Sequence, residues 1–271
     1  MSVIETVFRL PRDQYEIPAT FALPAEPTTR PVPAVLLLHG TASHRDEVGR
    51  MFARLARALG DEGIASLRID FAGCGESNRP QTDFTVSSEL ADASSAFQWL
   101  QRQPEVDATR VFVLGFSQGG MIAILLSEIE TEQGPAGIAT WSSGVIPAAD
   151  RTATFEGYFL GHEDPHVTLD LGFGTFTFSR EWWDEFRSVD LHAPIAASRA
   201  PVLAVAGSAD DVVSPRSSIT LIGSAGGDDL TLVQIPGANH IFNALACDPT
   251  DASDEVIRIT VDWVSRRSSE F

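Results

Sequence analysis

The sequence predicts an α/β protein: a doubly wound, mostly parallel sheet carrying an inserted cap subdomain. Three observations predict it. Short, continuously apolar runs of strand length recur along the chain, most of them followed by an amphipathic stretch. Glycine-bearing turns stand at the carboxyl ends of several of those runs, at 39–41, 70–77 and 115–120. The alternation breaks between about Ser143 and Ala200, where aromatic residues cluster. Strands joined by helical crossovers close onto a parallel sheet with one hand, and a long structureless loop inside a compact domain is improbable. The expected division is a core of residues 1–142 and 201–271 with a cap over 143–200.

Val3 to Leu10 and Tyr15 to Leu23 alternate in hydropathy around Pro11-Arg12-Asp13-Gln14, the pattern of a β-hairpin at a sheet edge. Pro24 to Pro33 reads as a surface connection. Ala34 to Leu38 is an apolar strand ending in His39-Gly40-Thr41, and Val48 to Leu59 is amphipathic. Ile64 to Ile69 is the next strand, with the glycine-rich Asp70-Phe71-Ala72-Gly73-Cys74-Gly75-Glu76-Ser77 as its loop. Val86 to Gln101 predicts a helix with Ala91, Ser94, Phe97 and Leu100 near its buried face. Val111 to Leu114 is a β-branched strand, and Met121 to Ser127 is apolar enough for a buried helix. Ile138 to Ser142, Pro201 to Ala206 and Leu230 to Ile235 complete the strands, and Ala252 to Arg267 is an amphipathic closing helix. Within the cap, Val167 to Phe178 alternates around glycines as a hairpin would. Phe176, Trp182 and Trp183 are candidates for an apolar substrate pocket under a lid, with the cap's own core as the competing use of such rings.

Composition excludes several functions. A net charge of −18 and a pI near 4.6, with arginine as the only strong base because lysine is absent, would repel nucleic acid and anionic membranes. No apolar run reaches the length of a membrane span. Met1 to Leu10 carries Glu5 and Arg9 and lacks the basic start and apolar stretch of a secretory signal, so a cytoplasmic location is expected. Cys74 and Cys247 have no C-x-x-C partner and read as free thiols. His162 and His166 superficially offer metal ligands, but Pro165 interrupts any helix and no metal-ligand spacing is met, so no metal and no cofactor is expected.

Gly115-Phe116-Ser117-Gln118-Gly119 lies between a strand and a helix, the context in which G-x-S-x-G lifts a serine hydroxyl out of a strained turn. A serine hydroxyl attacks a carbonyl only when a base takes its proton and an acid orients that base. Of the histidines after Ser117, which are His162, His166, His192 and His240, only His240 follows a strand, in a turn-rich loop near the C-terminus. The acid is expected after the strand at 201–206, where Asp210 and Asp211 compete. The backbone N–H groups of Gln118, first in its helix, and of Thr41 are the expected oxyanion donors. His39 is read as bracing its loop, not as a catalytic base.

Taken together, His39-Gly40, Asp70-Phe71-x-Gly73-x-Gly75-x-Ser77, Gly115-Phe116-Ser117-Gln118-Gly119-Gly120, Ser179-Arg180-Glu181-Trp182-Trp183, Gly207-x-x-Asp210 and Gly237-Ala238-Asn239-His240 resemble the α/β-hydrolase superfamily. Within it the chain is similar to the bacterial cinnamoyl (feruloyl) esterases and their carboxylesterase neighbours. The resemblance implies the α/β-hydrolase fold, and it selects Asp210, three residues after Gly207, as the acid. It further implies hydrolysis of aromatic or short acyl esters through a Ser117-His240-Asp210 triad, with a small-molecule ester as partner and room for a homodimer. Phe116 and Cys74 stand where the cinnamoyl esterases usually carry histidine. An amide or thioester hydrolase using the same triad, or a non-catalytic ligand-binding homologue, are the alternative readings.

Overall fold

A computed structural model describes residues 3–12, 14–26, 29–128, 133–146, 155–160, 163–246 and 248–269. Eight strands form one sheet: β1 (Val3–Arg12), β2 (Tyr15–Pro24), β3 (Val32–Leu38), β4 (Ala65–Ile69), β5 (Val106–Phe116), β6 (Ile138–Trp141), β9 (Val202–Gly207) and β10 (Leu230–Ile235). Their order is β1-β2-β4-β3-β5-β6-β9-β10. The six strands from β4 to β10 along that order run parallel, and β2 is antiparallel to both β1 and β4. The expected α/β fold with a mostly parallel sheet is therefore the one observed.

The expected hairpin is present, but its strands reach Arg12 and Tyr15, which pair directly. Pro11 thus lies within a strand, which costs nothing because β1 is an edge and needs no N–H on its outer side. Helices α1 (Met51–Asp61), α2 (Val86–Gln101), α3 (Gln118–Leu126) and α8 (Ser253–Ser268) cover the sheet. Val35, Leu37, Phe112 and Leu114 point to the face packed by α1 and α8, and Leu36, Leu38, Val111 and Val113 to the face packed by α2 and α3. That alternation along strands buried on both sides explains their continuous hydrophobicity. Residues 48–50 form a separate 3-10 turn, with Gly49 in the left-handed region, instead of opening α1.

The buried face of α2 differs from expectation. Val86, Glu89, Asp92, Ala93, Ala96, Phe97 and Leu100 are buried, whereas Ala91 and Ser94 are only partly so. Two carboxyl residues occupy the inner stripe, and a reading that assigns charged residues to solvent rotates the helix away from them. A helix at Arg216–Ser224 (α7), between β9 and β10, was also not foreseen, because its serines and threonine mute the apolar periodicity.

Between β6 and β9 the described residues form a helical turn at Glu156–Phe159 (α4), the antiparallel pair β7 (His166–Asp170) and β8 (Thr175–Ser179), α5 (Arg180–Ser188) and α6 (His192–Ala197). The expected hairpin is thus β7-β8. Its aromatics do not form a separate core: Phe159, Phe176, Phe178, Trp182, Trp183 and Phe186 join the apolar cluster that also holds Leu36, Val113 and Met121. Ser87 at the start of α2 donates from both its N–H and its hydroxyl to the Glu185 carboxylate of α5, tying the segment to the core.

Candidate active site

All the sequence-predicted polar site residues except Thr41 lie at or just beyond the carboxyl ends of β5, β9 and β10, with Thr41 just beyond β3. This is where a parallel sheet presents its loops for chemistry. Ser117 follows β5 with φ 52° and ψ −120°, a left-handed conformation that a side-chain-bearing residue adopts only when its surroundings enforce it. The enforcement is visible: a β-carbon on Gly115 would collide with the Gly119 carbonyl, and one on Gly119 with the Leu38 carbonyl. Strand and helix can pass this closely only because both flanking residues are glycine.

His240 Nε2 lies 3.1 Å from Ser117 Oγ, and its Nδ1 lies 2.9 and 3.1 Å from the two carboxylate oxygens of Asp210. The Asp210 side chain is fully buried, and its Oδ1 also accepts the Val212 and Val213 N–H groups at 3.0 and 2.8 Å. Asp211 is exposed on the same loop. The two loops are fitted together by Gly207, where any β-carbon would strike the Ala238 carbonyl, and by the Ala209 N–H, which donates to that carbonyl at 2.9 Å. Asn239 Oδ1 accepts from the Ile241 and Asn243 N–H groups at 3.1 and 2.9 Å and so shapes the turn bearing His240. The Phe116 ring packs on the His240 imidazole with centroids 5.2 Å apart.

Gln118 is the first residue of α3, so its N–H has no acceptor inside the helix. The Thr41 hydroxyl donates to Gln118 Oε1 at 2.8 Å, which brings the two expected oxyanion donors side by side. The N–H of the preceding residue, Gly40, donates to Glu47 Oε1 at 2.6 Å. Buried Glu47 is one residue that the motifs did not single out as part of the site. His39 has the bracing role expected of it. It is fully buried, its Nδ1 donates to the Gly40 carbonyl at 2.8 Å and its Nε2 accepts the Phe71 N–H at 3.1 Å. Burial holds its pKa below the usual value, so the imidazole is neutral.

The glycine-rich loop is organised by Asp70, whose buried carboxylate accepts the Arg45 and Glu76 N–H groups at 2.6 and 2.9 Å and pairs with the Arg45 guanidinium. Burial pushes the Cys74 thiol of this loop well up. The three aromatics proposed for the pocket are all buried. Trp182 stacks on Phe186 with centroids 4.9 Å apart, Trp183 stacks on Phe159 at 5.1 Å, and Phe176 meets Phe84 edge-on at 5.5 Å. Each of these rings packs against other rings of the apolar core. His166 opens β7 at an exposed position, while His162 and Cys247 lie outside the described residues. Among the described residues, no helix is long and apolar enough to cross a membrane.

Comparisons agree with this architecture. In sequence, the chain is 30% identical over 209 residues to the uncharacterized protein Rv2307c of Mycobacterium tuberculosis, a match spanning 77% of this chain and 63% of the relative. In structure, it is similar to Est1E from Butyrivibrio proteoclasticus with ferulic acid bound, at TM-score 0.78 and 22% identity over 97% of this chain and 98% of the other. A soluble variant of monoglyceride lipase from Saccharomyces cerevisiae matches at TM-score 0.76 and 18% identity, over 97% and 96%. The esterase domain of a Rhodothermus marinus protein matches at 0.69 and 24%, over 98% and 99%. With residues 35–258 matching the family model, the chain belongs to the alpha/beta hydrolase family.

Proposed function

We propose that the protein is a serine hydrolase acting on carboxylic esters. The observation that carries this reading is the continuous hydrogen-bonded line from Ser117 Oγ through His240 to Asp210. Ser117 Oγ attacks the acyl carbon while His240 Nε2 takes its proton. Asp210 holds the Nδ1–H tautomer and stabilises the imidazolium. The tetrahedral oxyanion is held by the Thr41 and Gln118 N–H groups, collapse expels the alcohol with the proton returned by His240, and water repeats the sequence to release the acid.

The motifs and geometry support acyl transfer and favour no particular leaving group. Est1E was solved with ferulic acid and the yeast lipase with a substrate analogue. Aromatic esters and acylglycerols therefore belong in the substrate panel with short acyl, thioester and aminoacyl compounds. Segment 143–200 is read as a lid over the site; its emergence from the carboxyl end of β6, beside the nucleophile strand, supports this.

The test is labelling with a fluorescent fluorophosphonate, locating the adduct by mass spectrometry. Modification confined to Ser117, and a fall in kcat of about 10⁴ or more in a folded Ser117→Ala variant, are expected. Near-wild-type turnover in that variant would overturn the reading.

A further inference from the structure

Glu89 stands in the first turn of α2, fully buried, and one of its oxygens, Oε2, accepts a hydrogen bond from the side-chain amide of Gln118. The other end of that amide, Oε1, accepts the Thr41 hydroxyl at 2.8 Å. A single amide therefore joins the two residues assigned to the oxyanion hole. With Glu89 Oε2 accepting the amide N–H, the amide oxygen is turned toward the Thr41 hydroxyl.

We propose that Glu89 is a positioning residue for acyl transfer, fixing the Gln118 and Thr41 donors through the Gln118 amide while adding no negative charge behind them. The inference rests on the serine-hydrolase reading above. Its Oε1 is buried and has no partner among the described residues. A carboxylate with one oxygen unpaired in the interior is strongly disfavoured, whereas a carboxylic acid carries its proton on that oxygen and accepts from Gln118 with the other. Burial pushes the Glu89 carboxyl well above its usual range. The titratable groups facing it are acids as well: Asp92 one turn along α2, Glu185 on α5 and the Cys74 thiol of the glycine-rich loop. A charge at Glu89 would oppose the oxyanion forming at the backbone of the same Gln118 that it orients.

The experiment compares Glu89→Leu, Glu89→Gln and wild type in kcat and KM for p-nitrophenyl acetate between about pH 6 and 10, each protein checked for folding by its melting transition. Glu89→Leu frees the Gln118 amide, and kcat is expected to fall about 10- to 100-fold while KM changes less than about threefold. Glu89→Gln keeps an acceptor for Gln118 without an ionisable proton. It should recover most of that loss. An infrared difference spectrum between wild type and Glu89→Gln at neutral pH should contain the C=O band of a protonated carboxyl.

A folded Glu89→Leu with wild-type kcat, or a Glu89→Gln as impaired as Glu89→Leu, overturns the inference. If Glu89→Leu does not fold, a difference spectrum without the protonated-carboxyl band overturns it. A wild-type protein that neither cleaves the ester nor labels at Ser117 defeats the hydrolase reading first, and this inference with it.

Discussion

Gly119 passes so close to Leu38 that a β-carbon on the glycine would stand inside the van der Waals shell of the Leu38 carbonyl oxygen. The first turn of α3 is thereby pressed against the end of β3. Two backbone donors from distant parts of the chain, Thr41 and Gln118, become neighbours for this reason. Gly119→Ala must push helix and strand apart, at about 1–3 kcal/mol of overpacking. Urea unfolding should report that loss and the fluorophosphonate labelling rate should fall with it. Wild-type stability and labelling in this variant would mean that the close approach is not needed.

Asp210→Asn preserves an acceptor for the Val212 and Val213 N–H groups, so the loop should keep its shape. It removes the charge facing His240 Nδ1 and lets the amide impose the wrong imidazole tautomer. A fall in kcat of about 10⁴ is expected, the scale known for this exchange in serine proteases. Asp211→Asn, at an exposed position, should stay near wild type. Equal losses in the two variants would reopen the choice between the adjacent aspartates.

His39 makes stability depend on pH in a defined direction. Its folded pKa is held below 6.5, so as pH falls through that value the unfolded chain gains a proton that the native state refuses. Its contribution is fully present above pH 6.5 and is lost below it, with a slope of at most about 1.4 kcal/mol per pH unit. Urea titrations between about pH 7 and 5 should show a shallower acid decline for His39→Gln, although that variant starts less stable. Identical slopes would show that the imidazole is not the proton-refusing group.

The bond from Ser87 to Glu185 ties α5 to the N-terminus of α2. Glu185→Ala should cost only about 0.5–1 kcal/mol, as partly exposed charged contacts do. If 143–200 acts as a lid, amide hydrogen exchange in residues 175–188 should rise in the variant. Unchanged exchange there would deny the bond any part in holding the segment down.

Much of this architecture was legible in local sequence. The sheet strands could be recognised because burial on both faces demands uninterrupted apolar runs, and the elbow because Gly115 answers to a steric need within five residues, the Gly119 carbonyl. The hairpin β7-β8 showed in its period-2 alternation. That His240 is the histidine brought to Ser117 agrees with its place after a strand near the C-terminus. The choice of Asp210 over Asp211 needed family resemblance, because adjacent aspartates are chemically alike until a fold buries one of them.

What escaped local reading were groups whose roles depend on distant partners. Glu47, Glu89 and Asp92 are carboxyl residues on stretches that composition assigns to solvent, yet each lies inside the protein. Glu89 is drawn in by an amide 29 positions away, and Asp92 by Arg12 and Tyr15 on the opposite hairpin. The rings of 155–186 likewise announced an apolar assembly, but only packing decided that they would join the core beneath α2 and α3. Backbone sterics and hydrophobic period act over a few residues and are written in the chain's local order. The burial of a charge depends on which partner the fold delivers, and that is settled only when the sheet has closed.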